Sequence, residues 1–386
     1  MAPLFRVLLV LAGFALLAFV LRDAFETMIL PRRLNGRFRF TQSYYRSFWP
    51  LWSGLSRRAL SGRRRESALS LFGPLSMLGL FVLWAVALIA GFALVFFGLG
   101  SPLQTTEPLR GFGMDFYLSG TMFLTLGLGN AAPSTSLARL LAVAEGGLGF
   151  GFVAIIISYL PVLYSSFSHR EISISMLDAR AGSPPSASEL LRRHAGNLHQ
   201  LEAYLAEWER WSAELLESHI SYPVLGYFRS QHVNQSWLAA LTTLLDACAL
   251  LTAATADGCS RQAQLTFAMA RHAVVDLAQV FIRIRPLPHT LPERLSPTDM
   301  TALTQTLAAA GLPLSLGPAQ VERLHELRRL YEPHVHVIAD YLALQPPRWI
   351  GHPDNRDNWQ RSPWDHPPTP RHHASSANPI APDRHF

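Results

Sequence analysis

The sequence predicts an all-α, polytopic membrane protein: three transmembrane helices, one short re-entrant helix followed by a glycine-rich loop, and a helical bundle outside the bilayer. Three observations predict it. Mean hydropathy is +0.17 with only 16% charged residues, and the apolar residues crowd into the first 168 positions. Three segments there are long enough to cross a hydrocarbon core of about 30 Å, which takes about 20 helical residues. Beyond them apolar residues recur at helical rather than strand spacing.

The first span runs from about Pro3 to Leu21 and continues as a more polar helix through Asp23 and Glu26 to Leu30, giving a domain over 1–30. A cleaved signal core over Val7–Leu21 is the competing reading. No small-x-small site follows it; Arg22, Asp23, Phe25 and Glu26 do, which favours a retained span.

Residues 31–66 form an Arg-rich segment with Arg32, Arg33, Arg37, Arg39, Arg46, Arg57, Arg58 and the run Arg63-Arg64-Arg65. Phe38, Phe40, Tyr44, Tyr45, Phe48, Trp49 and Trp52 interleave with them, which suits an amphipathic helix at the membrane interface. The chain contains no Lys, so Arg alone carries the topology signal and the net charge of +6. By the positive-inside rule residues 31–66 lie in the cytoplasm, the amino terminus and residues 101–138 face outward, and everything after Phe167 is cytoplasmic. Arg beside hydrophobic spans accounts for the positive charge through the lipid bilayer, so no nucleic-acid partner is implied.

The second span falls within Ser67–Leu103, which holds no charged residue; the third runs from Leu140 to Phe167, interrupted by Glu145. Between them Phe112–Asn130 is apolar but too short and glycine-rich to cross, the profile of a re-entrant segment. Domain 67–167 therefore holds two spans and a loop. Residues 168–186 read as a linker ending in Ala181-Gly182-Ser183-Pro184-Pro185-Ser186. Domain 187–345 reads as helices over Ser188–Leu216 (capped by Ser188), Gln235–Ala256, Arg261–Arg283, Pro297–Ala310 and Pro318–Leu344. Residues 346–386, rich in Pro, His, Asn and Asp, read as a disordered tail.

The chemistry concentrates in Thr121–Asn130, Thr-Met-Phe-Leu-Thr-Leu-Gly-Leu-Gly-Asn. Backbone carbonyls replace the water shell of an ion when an extended chain turns them all to one axis. Gly127 and Gly129 supply the backbone freedom this needs, and Thr125 adds a hydroxyl oxygen. A helix over Phe112–Leu124 would aim its negative carboxyl end at a cation.

At these residues the sequence resembles the pore of potassium channels with one pore loop per chain, whose filter reads Thr-Val-Gly-Tyr-Gly-Asp. Thr125, Gly127, Gly129 and Pro133 match, and Arg139 opens the third span as in simple two-span channels. The resemblance covers about a quarter of the chain. It implies a selectivity filter at Thr125, Leu126, Gly127, Leu128 and Gly129 that binds K+, and a homotetramer in which each subunit supplies a quarter of the filter. Leu128 replaces the usual aromatic residue, and Asn130 replaces the usual Asp at the outer mouth. Gly149 occupies the family's hinge position, which gives Phe150, Val153 and Ile157 to the pore lining. Glu145 is expected to support the filter from behind; pairing with Arg139 or solvent is the plainer alternative. Gly147 and Gly151 also fit close helix packing.

The expected function is passive, potassium-selective conduction. The alternatives are a weakly selective cation channel, or a membrane-anchored signalling or scaffold protein working through its helical domain. No nucleophile elbow, phosphate loop or zinc spacing points to an enzyme, a cofactor or a metal other than permeant K+. The tail histidines (His352, His366, His372, His373 and His385) follow from composition, and Cys248 and Cys259 form no disulfide framework.

Overall fold

The computed structural model describes residues 2–30, 40–101, 103–105, 111–129, 131–231, 234–254, 259–281 and 291–351. Asn130, residues 31–39 of the Arg-rich segment, Arg110, and the tail from residue 352 onward lie outside the described residues. The chain divides into two units: Met1–Leu60 with Leu71–Ser165, and Ser61–Ser70 with Ser166–Phe386.

In the first unit α1 (Pro3–Met28) starts on a proline at its first turn, where a missing N–H costs nothing. It lies backbone to backbone against α3 (Gly62–Gly98): a Cβ built on Gly13 would sit 2.6 Å from the Gly91 carbonyl oxygen. Small residues at such crossings let two apolar helices approach closely. The polar end of α1 is tied down by Asp23, whose Oδ2 accepts from Thr41 Oγ1 (2.7 Å) and Trp84 Nε1 (3.1 Å). Thr41 belongs to α2 (Phe40–Ala59), which buries Tyr45 and Trp49 and leaves Phe48, Leu51 and Leu55 exposed. Trp49 meets Phe72 of α3 edge-on, with 4.9 Å between ring centroids.

Helix α3 starts at Gly62, so Arg63-Arg64-Arg65 and Glu66 are its opening turns rather than part of a separate segment ending at 66. Hydropathy marks a membrane boundary; the helix propagates through Arg and Glu because both are good helix formers. Two three-residue strands, β1 (Leu103–Thr105) and β2 (Ala131–Pro133), pair antiparallel with Gln104 opposite Ala132. They are too short for the alternation that marks a strand in sequence. Between them α4 (Phe112–Phe123) packs Met114 and Leu118 against Ala131.

Helix α5 (Ser136–Ala181) continues through most of the expected linker at 168–186, leaving a turn at Gly182–Pro185. Its residues from Ser166 belong to the second unit. There the expected Ser188–Leu216 helix is two: α6 (Ala187–His194), capped by Ser186, and α7 (Leu198–Ser221), capped by Asn197. Ser188 is buried instead, its N–H donating to Trp349 O and its Oγ accepting from Gly351 N–H, both at 3.0 Å. Trp349 is 1% exposed, so the chain stays packed several residues past the expected start of the tail. A 3-10 turn (Pro223–Tyr227) leads to α8 (Trp237–Ala254), α9 (Cys259–Phe281) and α10 (Pro297–Ala309). The expected Pro318–Leu344 helix breaks at Leu330–Tyr331 into α11 (Pro318–Arg329) and α12 (Glu332–Leu342).

Among the described residues, four helices are long and apolar enough to cross a membrane: α1, α3, α5 and α8. Their most apolar windows are 17%, 56%, 22% and 83% buried, respectively. A helix apolar on all sides is either membrane-spanning or central to a core. α8 is sheathed by its own unit, with α6, α9, α11 and α12 packed against it and α7 packed on α9.

Candidate functional site

Helix α4 positions the glycine-rich loop. Asp115, in its first turn and fully buried, accepts a 2.6 Å hydrogen bond from Ser101 Oγ. An acid there favours the positive end of the helix dipole. At the far end Leu126 N–H reaches back to Thr121 O (2.8 Å), after which the chain leaves helical geometry.

Thr125, Gly127 and Gly129 then take positive φ of 56°, 56° and 77°, while Leu126 and Leu128 between them do not. Alternation of left- and right-handed residues is the pattern by which successive carbonyls turn to one side, where a strand would point them to opposite sides. Among the described residues, none of the carbonyls of Thr125–Gly129 accepts a backbone hydrogen bond. A Cβ on Gly127 or Gly129 would meet nothing within 4 Å, so these glycines answer to φ, not to space. Thr125 holds its left-handed conformation despite a β-branched side chain, a cost of order 1–3 kcal/mol that clusters at functional sites.

Behind this loop α5 turns one face toward α4. Glu145 is fully buried, and its Oε1 contacts Ser119 Oγ of α4. The same hydroxyl lies 2.8 Å from Ile89 O of α3, so a single serine links all three helices. Arg139 donates instead to Pro133 O at 3.3 Å, which leaves Glu145 to α4. One turn on, a Cβ at Gly149 would fall 2.0 Å from Phe123 O, the last carbonyl of α4. Gly149 therefore sits where α5 touches the base of the loop, and the rings of Phe123 and Phe152 meet beside it at 5.8 Å. Gly147 and Gly151 meet nothing within 4 Å, so within the protomer the small-residue contact belongs to Gly149.

The adjoining flank of α5 is uncovered: Phe150 is 70%, Val153 44% and Ile157 65% exposed. Ser119 and Phe123 were not singled out by sequence reasoning. The available signal was a polar residue on the apolar α4, at a distance allowing it to meet the lone acid of the third span.

Residues 80–165 match a family model described as "Ion channel". This segment is what the chain shares with ion channels. It runs from α3 through α4 and the glycine-rich loop into α5, so every contact described above lies inside the ion-channel segment. The chain is also similar to "Uncharacterized membrane protein YdjJ" of Bacillus subtilis (strain 168), 24% identical over 206 residues, covering 52% of this chain. The chain spans 58% of that relative's length. No solved structure matches the chain.

Proposed function

We propose that the chain is one subunit of a homotetrameric, potassium-selective channel that passes K+ through rings of backbone carbonyls at Thr125–Gly129 and needs no cofactor beyond the permeant ion. The observation that carries this reading is the alternating positive φ at Thr125, Gly127 and Gly129, on carbonyls without backbone partners among the described residues, at the carboxyl end of α4. That is the backbone a dehydrated cation requires. Helices α1, α3 and α5 are the three spans; α8 is the core of a cytoplasmic bundle. Counting Arg puts the amino terminus outside and residues 31–66 inside. The uncovered Phe150, Val153 and Ile157 line the cavity, Gly149 is the hinge, and Glu145 with Ser119 supports the filter.

A second reading, weak cation selectivity, draws on Leu128 and Asn130, which remove the aromatic support and the outer ring of negative charge. The reversal potential in a potassium–sodium gradient separates the two. Reversal near the potassium equilibrium value supports the first; reversal near zero supports the second. If neither ion moves, and Gly127→Ala behaves as wild type, both readings fall.

A further inference from the structure

The extension of α5 beyond residue 165 passes through a buried polar socket. Arg170 is 4% exposed. It donates to Leu225 O (2.9 Å) and Phe228 O (2.8 Å), pairs with Glu171 (2.9 Å), and lies over the Phe167 ring at 5.1 Å. Its remaining contact is His219 of α7, which is fully buried, with Nη1 and Nε2 separated by 3.2 Å.

The tautomer of His219 follows from its neighbours. Leu215 O, 2.8 Å from Nδ1, can only accept, so Nδ1 carries the hydrogen. A guanidinium can only donate, so Nε2 is bare and accepts from Arg170. A second proton on His219 would remove this acceptor and set two positive charges 3.2 Å apart inside the unit. Among the described residues no acid is hydrogen-bonded or ion-paired to the ring. α7 offers Leu215 O and Ser218 Oγ, α8 offers the Trp237 ring at 5.3 Å, and the 223–228 segment offers carbonyls already held by Arg170. The Glu171 carboxylate is engaged by Arg170 and by Ser230 Oγ.

The same short segment holds the other pore helix. Arg229 pairs with Glu66 in the first turns of α3 at 2.7 Å and donates to Leu342 O and Ala343 O beyond α12. Residues 225–230 thus grip the near ends of α3 and α5 side by side.

We propose that His219 and Arg170 form a proton-operated latch: acidification on the bundle's side of the membrane protonates His219, expels Arg170 from its socket, and frees the α5 extension from the bundle. Burial and Arg170 both hold the imidazole well below its usual range, which keeps the latch closed at neutral pH. Because α5 is continuous from Ser136 to Ala181, release at Arg170 reaches the inner helix of the pore, and conduction changes with it. This last step rests on the channel reading; the latch itself does not.

The test uses the full-length protein in liposomes and nanodiscs, with two readouts taken from pH 7.5 to 5. The first is amide hydrogen exchange of residues 166–181, corrected for the intrinsic pH dependence of exchange. In the wild type, protection is expected to fall about tenfold for each pH unit once His219 begins to titrate. His219→Gln keeps an amide oxygen for Arg170 and does not titrate, so its protection should stay flat. Arg170→Gln should show the acid-state protection already at pH 7.5. His194→Gln, another buried histidine of the bundle, should behave as wild type. The second readout is potassium flux, where His219→Gln should hold the neutral-pH rate at pH 5 and Arg170→Gln should hold the acid rate at pH 7.5.

Exchange that ignores pH in the wild type, or that responds equally in His219→Gln, overturns the latch. If Arg170→Gln fails to fold, His219→Gln alone still decides. pH-dependent exchange without any flux would keep the latch and sink the channel reading; flux with pH-independent exchange would do the reverse.

Discussion

Glu145 and Asp246 are both fully buried acids on apolar helices, and their surroundings differ in kind. Asp246, on α8, is saturated: Arg294 engages both its oxygens, and Tyr331 Oη donates to Oδ1 at 2.6 Å. Arg294 also meets Glu332 at 3.0 Å, and Glu332 meets Arg328 at 3.1 Å, which closes an ionic network around Trp349. Glu145, on α5, has one neutral hydroxyl, and its Oε2 has no hydrogen-bond partner among the described residues. A charge taken out of water is tolerated when paired and hydrogen-bonded. Asp246 satisfies that rule as a structural residue does. Glu145 does not, which is what the proposed role behind the filter would require of an acid in a membrane span.

The largest expected effect breaks the saturated side. Arg294→Met leaves Asp246 charged and buried, and should destabilise the protein by about 3–5 kcal/mol, read by thermal unfolding in detergent. A cost below about 1 kcal/mol would mean the network is not what holds α8 to α12.

On the pore side, Gly149→Ala drives a Cβ into the Phe123 carbonyl, which is backbone and cannot swing aside. Overpacking of this kind costs about 1–3 kcal/mol, and flux should fall with it. Gly147→Ala, with open space around it, should leave flux unchanged and slightly favour the helix. Equal effects of the two would remove the α4 contact as the reason for glycine at 149.

Ser119→Ala should cost about 1–3 kcal/mol by stranding Glu145 without its partner. Glu145→Gln, which keeps a partner for Ser119, should cost less and preserve conduction. If Glu145→Gln abolishes flux while Ser119→Ala spares it, the charge acts directly on ions rather than through α4.

The smallest effect is on the bundle's pH response. His219 lies below its unfolded value of about 6.5 in the folded chain, because of burial first and Arg170 second. The unfolded chain therefore takes up the proton first. Stability is full above that value and falls by up to about 1.4 kcal/mol per unit as the pH drops below it. His219→Gln should remove this component, measured as the difference between the two proteins' unfolding midpoints from pH 7 to 5.

Much of this was legible in the chain. Twenty-residue apolar runs, an Arg-rich connection, and Thr125, Gly127 and Gly129 after a short apolar helix are local patterns, written by bilayer thickness and by φ. The helix breaks within 194–198 and 329–332 were not, since Leu spacing persists across them. Length and composition alone would let both α8 and α5 cross a membrane; what sets α8 apart is its packing against α9, α11, α6 and α12 of its own unit.

The partners of buried polar groups were the least visible. Glu145 stood out in sequence as the lone acid of an apolar span, but Ser119 lies 26 positions away, and Arg170 is 49 from His219. Sequence by itself determined the long apolar helices and the glycine-rich loop between two of them, because those depend on neighbours along the chain. Tertiary structure decided which serine meets Glu145, which glycine must stay bare against Phe123, and which histidine holds Arg170. Hydrogen-bond satisfaction in a buried site depends on neighbours in space, and no local pattern carries it.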